Sequence, residues 1–299
     1  MPVSRPNLEG RVAIVSGGGK GLGRAFSLDL AARGAKVVVN NRNRVVDDDG
    51  RGPADHVVSE IRDAGGTAIA DYHDVADPAS GSAMVHAAIA QWGRLDICVA
   101  NAGVGTGGMF HKESDEAFEE LLAINLLGAA RLARAAMIVM RPGGYGRIVL
   151  VASTGGLHGD VGLSAYAASK GGMIALGRSL AAEGTRRGVL TNLLLPYATT
   201  QMTETGMADA YASAATVDRV APVLTALVAA ECRLNGQLIV TGGGRLRCAS
   251  VVEWGTVELP DDLGARELEE LVNRSKASKP KEFDGANEAF LDFMGDQPL

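Results

Sequence analysis

Seven short runs of aliphatic and β-branched residues punctuate the chain: Val12–Val15, Lys36–Asn40, Ala68–Asp71, Leu95–Ala100, Arg147–Ala152, Leu190–Leu195 and Gln237–Thr241. They are mostly apolar throughout rather than alternating, the pattern of strands covered on both faces. Helix-like stretches fill the gaps: 22–33, 54–64, 82–92, 114–140, 166–187 and 217–232. Strand, helix and strand in repetition predict an α/β fold, a doubly wound parallel sheet of seven strands with helices on both faces, joined by right-handed crossovers. This organisation spans residues 1–248 as one domain. Residues 249–299 differ: an acidic helical pattern begins at Asp261, a polar stretch runs from Ser275 to Lys281, and an amphipathic run covers Asn287–Met294. They are expected to form a C-terminal helical extension that packs on the core or on a neighbouring subunit, with Phe290, Leu291, Phe293 and Met294 as its buried stripe.

Composition narrows the partners. A net charge of −6 and a pI near 5.5 argue against a nucleic-acid surface. No apolar signal core opens the chain and no run reaches the ~18 apolar residues of a membrane span, so neither membrane nor export is expected and the cytoplasm is the expected location. Cys98, Cys232 and Cys248 are far apart and lack CxxC spacing, and the five histidines show no ligand spacing, so no metal is expected.

Candidate chemistry begins after the first run, at Ser16-Gly17-Gly18-Gly19-Lys20-Gly21-Leu22-Gly23. A glycine turn between a strand and a helix lets backbone amides approach a pyrophosphate at the positive helix end. Asp74-Val75, beyond the third run, is a candidate seat for an adenine ring. Asn101-Ala102-Gly103 ends the fourth run, at the carboxyl edge where open α/β sheets bind ligands.

Tyr166 and Lys170 lie four apart on one helix face; Ser153 follows the fifth run and Asn125 lies in the preceding long helix. Removing hydride from an alcohol requires a base for its hydroxyl proton, and reducing a ketone requires an acid. Tyrosine's ordinary pKa is about 10, so action near pH 7 asks for about 4 kcal/mol of bias toward phenolate. A neighbouring ammonium and a positively charged nicotinamide ring supply part of it. Ser153 is expected to bind the substrate oxygen and Asn125 a water that continues a proton path past Lys170. His158, five residues after Ser153, reads as a rim residue, and Met202–Met207 as the start of a mobile lid.

Together, Gly17–Gly23, Asp74-Val75, Asn101-Ala102-Gly103, Asn125, Ser153, Tyr166 and Lys170 resemble the short-chain dehydrogenase/reductase family. The resemblance implies a Rossmann-like fold, hydride transfer with a nicotinamide cofactor, and a homodimer or homotetramer. Ala100 stands where the family usually has the first Asn of NNAG. Pro196-Tyr197 replaces the usual Pro-Gly beside the nicotinamide, where Pro196 and Thr199 are expected to line the cofactor site.

Within the family, Val37-Val38-Val39-Asn40, Tyr145–Val149, Val220-Ala221-Pro222, Glu231-Cys232, Asn235-Gly236 and Ala277–Pro280 are similar to the dehydrogenase units of type 2 peroxisomal multifunctional enzymes, which oxidise (3R)-3-hydroxyacyl-CoA. A 3-hydroxyacyl-CoA or a steroid- or lipid-like alcohol or ketone is therefore the expected substrate. A generic carbonyl or polyol reductase is the alternative, and a non-catalytic nucleotide sensor a third reading. Asn41 stands where those units carry an Asp, and Lys20 and Arg42 resemble the two basic positions of NADP-using members. NADP(H) is accordingly favoured, with NAD(H) as the alternative.

Overall fold

The computed structural model describes residues 6–42, 46–105, 107–199 and 215–295. The apolar runs form β1 (Val12–Val15), β2 (Lys36–Asn40), β3 (Thr67–Asp71), β4 (Ile97–Ala100), β5 (Gly146–Val151), β6 (Val189–Pro196) and β7 (Leu238–Gly242). Their order in the sheet is β3-β2-β1-β4-β5-β6-β7, and each adjacent pair is parallel. Every residue of β1, β4 and β5 is buried, because helices cover both faces of the sheet. The winding reverses between β1 and β4, which opens a crevice at their carboxyl ends.

The sheet is one strand wider than the seven runs predict. β8 (Arg245–Ala249) extends it beyond β7, giving eight strands among the described residues. Gly243 and Gly244 connect the two strands with φ of 57° and 74°. Two successive left-handed residues make the turn of a tight hairpin, so β8 runs antiparallel to β7. Its sequence, Arg-Leu-Arg-Cys-Ala, is largely exposed at the edge and carries no continuous apolar signal.

Helices α1 (Gly21–Ala32), α2 (Pro53–Asp63), α3 (Ser80–Trp92), α4 (Asp115–Leu122), α5 (Gly128–Met140), α6 (Gly155–His158), α7 (Ser164–Gly184) and α8 (Ala221–Val228) fill the crossovers. The single long helix expected over 114–140 is broken by a π turn at Ala123–Leu127. By length and composition alone, Asp115–Met140 could also cross a membrane. Here its apolar residues have another use: Leu132, Ala133, Ala136 and Met140 of α5 are buried in the fold. Gly128, at the start of α5, lies so close to the chain after β3 that a Cβ would stand 2.8 Å from the Val75 carbonyl oxygen.

The chain divides into two compact units, Met1–Cys248 and Ala249–Leu299. In the second, an antiparallel bridge between Glu253 and Lys281 closes the segment that carries α9 (Ala265–Lys276), and α10 (Ala286–Met294) follows it. Lys281 Nζ also donates to Asp292 of α10, at 2.7 and 2.9 Å. Phe290, Leu291, Phe293 and Met294, the expected apolar stripe, all lie on α10, at 42–61% exposure.

At the edge of the sheet opposite the crevice, Asp96 anchors the amino ends of β1 and β4. Its buried carboxylate accepts two hydrogen bonds from Arg94 (2.6 and 2.8 Å), one from Arg11 (2.8 Å) and one from the Val12 amide (3.0 Å). Burial alone would raise its pKa, but the bonds from Arg94, Arg11 and Val12 outweigh it and hold the carboxyl below its ordinary value. A depressed folded pKa stabilises the fold above the unfolded value of about 4, and that stabilisation is lost as pH falls through the folded value. Asp96→Asn should therefore cost about 1.5–3 kcal/mol at pH 7, the range for hydrogen bonds to charged groups. The deficit should shrink below about pH 4, and urea unfolding at pH 7 and pH 3 reads it; an equal loss at both would refute the assignment.

Candidate active site

The crevice is a cleft of about 360 Å³. Its pyrophosphate end is built by the loop from β1 to α1. Gly17 has φ +64°, and a Cβ there would lie 2.9 Å from Cα of Ala102, so only glycine fits between the first and fourth strands. A Cβ on Gly23 would stand 2.1 Å from the Gly17 carbonyl oxygen. No described side chain caps α1 at Lys20, which leaves its first-turn amides without partners inside the helix. Gly17, Lys20, Gly21, Leu22 and Gly23 all line the cleft there. A positive helix end with bare amides is suited to the pyrophosphate of a dinucleotide.

Ser16 fixes this loop to the chain after β4. Its amide donates to Val99, and its hydroxyl oxygen accepts from the amides of Asn101 and Ala102 at 3.0 and 3.1 Å. The Asn101 side chain donates back to the Ser16 carbonyl at 3.0 Å. Asn101, Ala102 and Gly103 consequently form the cleft wall opposite the glycine turn. Ala100, in place of the expected Asn, is buried and stays in register with Leu150 of β5.

The end of the cleft expected to take the adenosine gathers Asn40, Asn41 and Arg42 from the end of β2 with His73, Asp74 and Val75 after β3. Asn40 is buried; its side chain donates to Asp71 (2.7 Å) and to the His73 carbonyl (2.9 Å), while its own carbonyl accepts from Gly18 (2.7 Å). Arg42 Nη1 lies 3.2 Å from Asp74 Oδ2 in an ion pair that reaches between the two segments.

At the reacting end Ser153, Tyr166 and Lys170 share the cleft wall. Tyr166 enters from the first turn of α7, and Ser153 lies just past β5. Burial raises the Tyr166 phenol above its ordinary pKa, and a hydrogen bond with Ser153 opposes that rise. Lys170 is buried one turn further along α7, its Nζ donating to the Val151 carbonyl at 2.8 Å and lying 5.8 Å from the centre of the Tyr166 ring. Burial lowers the Lys170 ammonium to about 8. With this chain's own groups, then, the phenol holds its proton at neutral pH, which suits it to protonate a developing alkoxide.

Two expected site residues lie apart from the cleft wall. Asn125 is fully buried in the π turn. Its Oδ1 accepts from the Val104 amide (2.8 Å), and its Nδ2 donates to the Val104 carbonyl (2.9 Å) and to Ser169 Oγ (3.3 Å). One amide proton thus holds the chain after β4 and the other reaches Ser169 on α7, so Asn125 joins these two segments. Thr199 is tied through its amide to the Ala215 carbonyl, while Pro196 and Ala198 line the cleft. The expected lid at Met202–Met207 lies outside the described residues. Asn40 and His73 were missed as lining residues. The end of an apolar strand and the neighbour of Asp74 were the available signals.

Comparison with known proteins agrees with this geometry. The family model described as short chain dehydrogenase matches residues 11–213. The chain is 39% identical over 244 residues to a short-chain type dehydrogenase/reductase of Mycobacterium tuberculosis, covering 81% of this chain and 85% of that one. It is 35% identical over 282 residues to the peroxisomal multifunctional enzyme type 2 of Mus musculus, covering 91% of this chain but only 38% of that enzyme. A crystal structure of a short chain dehydrogenase from Mycobacterium avium superposes with a TM-score of 0.79 at 35% identity, covering 92% of this chain and 97% of that one.

Proposed function

The chain belongs to the short chain dehydrogenase family, and on that premise we propose that it interconverts a 3-hydroxyacyl thioester, or a similarly lipid-like secondary alcohol, with its ketone, using NADP(H) in preference to NAD(H). Membership makes it an oxidoreductase acting on CH–OH groups with a nicotinamide dinucleotide. One observation carries the reading: Ser153, Tyr166 and Lys170 line the same cleft as the glycine loop. The similarity to the multifunctional enzyme, and the resemblance of Tyr145–Val149 and Ala277–Pro280 to its dehydrogenase unit, support the acyl thioester as substrate.

A nicotinamide bound in this cleft supplies or accepts the hydride. The chain's own residues handle the proton. In reduction Ser153 hydrogen-bonds the carbonyl oxygen and Tyr166, protonated at neutral pH, delivers its proton to that oxygen as charge develops. In oxidation the same phenolic oxygen must take the proton from the alcohol, and the raised Tyr166 pKa makes this direction demand added positive charge. Lys170, fixed on the Val151 carbonyl, is the cation nearest to hand. Asn125 acts as a positioning residue, holding the Val104 segment beside them.

Tyr166→Phe should lower turnover of 3-oxoacyl thioesters by about 10²–10⁴-fold, the usual contribution of a general acid–base group, while cofactor affinity stays nearly unchanged. Steady-state rates on acyl-CoA, steroid and small carbonyl panels, with nucleotide binding measured alongside, decide it; more than a tenth of wild-type rate would remove Tyr166 from the role.

Support for NADP(H) comes from Asn40 and Asn41 standing where an acid would otherwise meet the adenosine ribose, with Lys20 and Arg42 in the same cleft. A charge-assisted hydrogen bond to a phosphate contributes about 1.5–3 kcal/mol. Arg42→Asp should turn the kcat/KM ratio toward NADH by at least about tenfold, and an unchanged ratio would show that Arg42 does not read the 2′-phosphate.

We also propose a homo-oligomer in which the exposed apolar side chains of α10 meet a neighbouring subunit. Phe290→Glu combined with Phe293→Glu should shift the protein toward smaller species on size-exclusion chromatography; an unchanged elution volume would exclude the extension as a subunit contact.

A further inference from the structure

The ion pair at the adenosine end offers a way for the chain to set how strongly it discriminates between its two possible cofactors. Arg42 Nη1 and Asp74 Oδ2 lie 3.2 Å apart, and both side chains are about one-third exposed, at 34% and 31%. Both residues line the cleft where the adenosine ribose is expected. Asp74 is held from beneath: its Oδ1 accepts from the Ala76 amide at 3.0 Å, fixing the carboxylate in a turn, while Oδ2 reaches Arg42. Arg42 thus meets an incoming 2′-phosphate with part of its hydrogen-bonding fork already committed. Half-exposed ion pairs contribute little to stability, so exchanging the carboxylate for a phosphate is easy, but every exchange is charged against the affinity for the phosphate-bearing cofactor.

We propose that Asp74 is a specificity-determining residue that acts through Arg42, competing with the cofactor's 2′-phosphate for the guanidinium and holding the NADP(H) preference below what Lys20 and Arg42 alone would give. The proposal rests on the reading of this cleft as a dinucleotide site, and it goes beyond that reading by giving Asp74 a role in selecting between cofactors. The competition concerns only the 2′-phosphate. Any part Asp74 plays in seating the adenine ring, or in shaping the turn after β3, affects both cofactors alike and cancels in their ratio.

The test compares adenosine 2′,5′-bisphosphate with adenosine 5′-monophosphate by calorimetry, since the two differ only in the 2′-phosphate and need no turnover. Asp74→Asn keeps the Oδ1 acceptor and the side-chain shape while removing the charge. It should raise the affinity ratio in favour of the bisphosphate about two- to fivefold, the scale of an exposed ion pair. The kcat/KM ratio for NADPH over NADH should move in the same direction. In an Arg42→Gln background the same substitution should produce no gain. A ratio unmoved by Asp74→Asn in the wild-type background, with nucleotide binding intact, overturns the proposal alone. A gain that persists without Arg42 also overturns it, because the carboxylate would then act by direct repulsion of the phosphate. Wild-type protein that binds neither nucleotide overturns it together with the dinucleotide reading of the cleft.

Discussion

Ser16 holds the glycine loop to the fourth strand at the point where the sheet's winding reverses. Its amide, hydroxyl and carbonyl each bond to the chain between Val99 and Ala102. Parallel strands that diverge in their connections leave a crevice, but its width is set by whatever ties the two sides together. Here that tie is so short that a Cβ on Gly17 would touch Ala102. The other fixed points follow the same logic. Asn40 links the loop to the end of β3, Asn125 holds Val104, and Lys170 is held on the Val151 carbonyl. Polar side chains anchored on strand ends make the cleft walls rigid, and a hydride can be passed only between groups held within a fraction of an ångström.

Rigidity at the reacting end has an electrostatic consequence. Burial lowers the Lys170 ammonium to about 8, so it stays largely charged at neutral pH while losing its proton more readily than a solvated lysine. The phenol is pushed up, not down, by its surroundings. The expected bias toward phenolate draws on two positive charges, the Lys170 ammonium and a bound nicotinamide ring, and the chain itself supplies only the first. Desolvation dominates both residues, and it favours the neutral form of each.

Much of the fold was legible because strands covered by helices leave apolar runs, unbroken in β1, β4 and β5, which are buried throughout. β8 was not, since an edge strand such as Arg245–Ala249 has no covered face to enforce an apolar pattern; the paired glycines at 243 and 244 were its only mark. The π turn was hidden for a related reason: Ala123–Leu127 has the composition of ordinary helix, and its register shift comes from packing. In the site, the glycines, Ser153, Tyr166 and Lys170 could be found from spacing. What Asn125 touches could not, because its partner, the Val104 backbone, is 21 residues away and carries no side-chain signature. The amphipathic run at Asn287–Met294 does form a helix, but periodicity identifies an apolar stripe without saying what covers it.

The two ends of the cleft therefore use charge in opposite ways. At the reacting end, burial raises the Tyr166 phenol and lowers the Lys170 ammonium, so desolvation acts on both groups. At the adenosine end, Arg42 and Asp74 stay partly in water, where their interaction is weak, salt-sensitive and exchangeable. A substitution at the partly hydrated pair therefore acts through exposed charge and leaves the buried bonds of Tyr166 and Lys170 in place. Since Asn40 ties the end of β2 to both the glycine loop and the His73 segment, the backbone carrying this pair is held at two points.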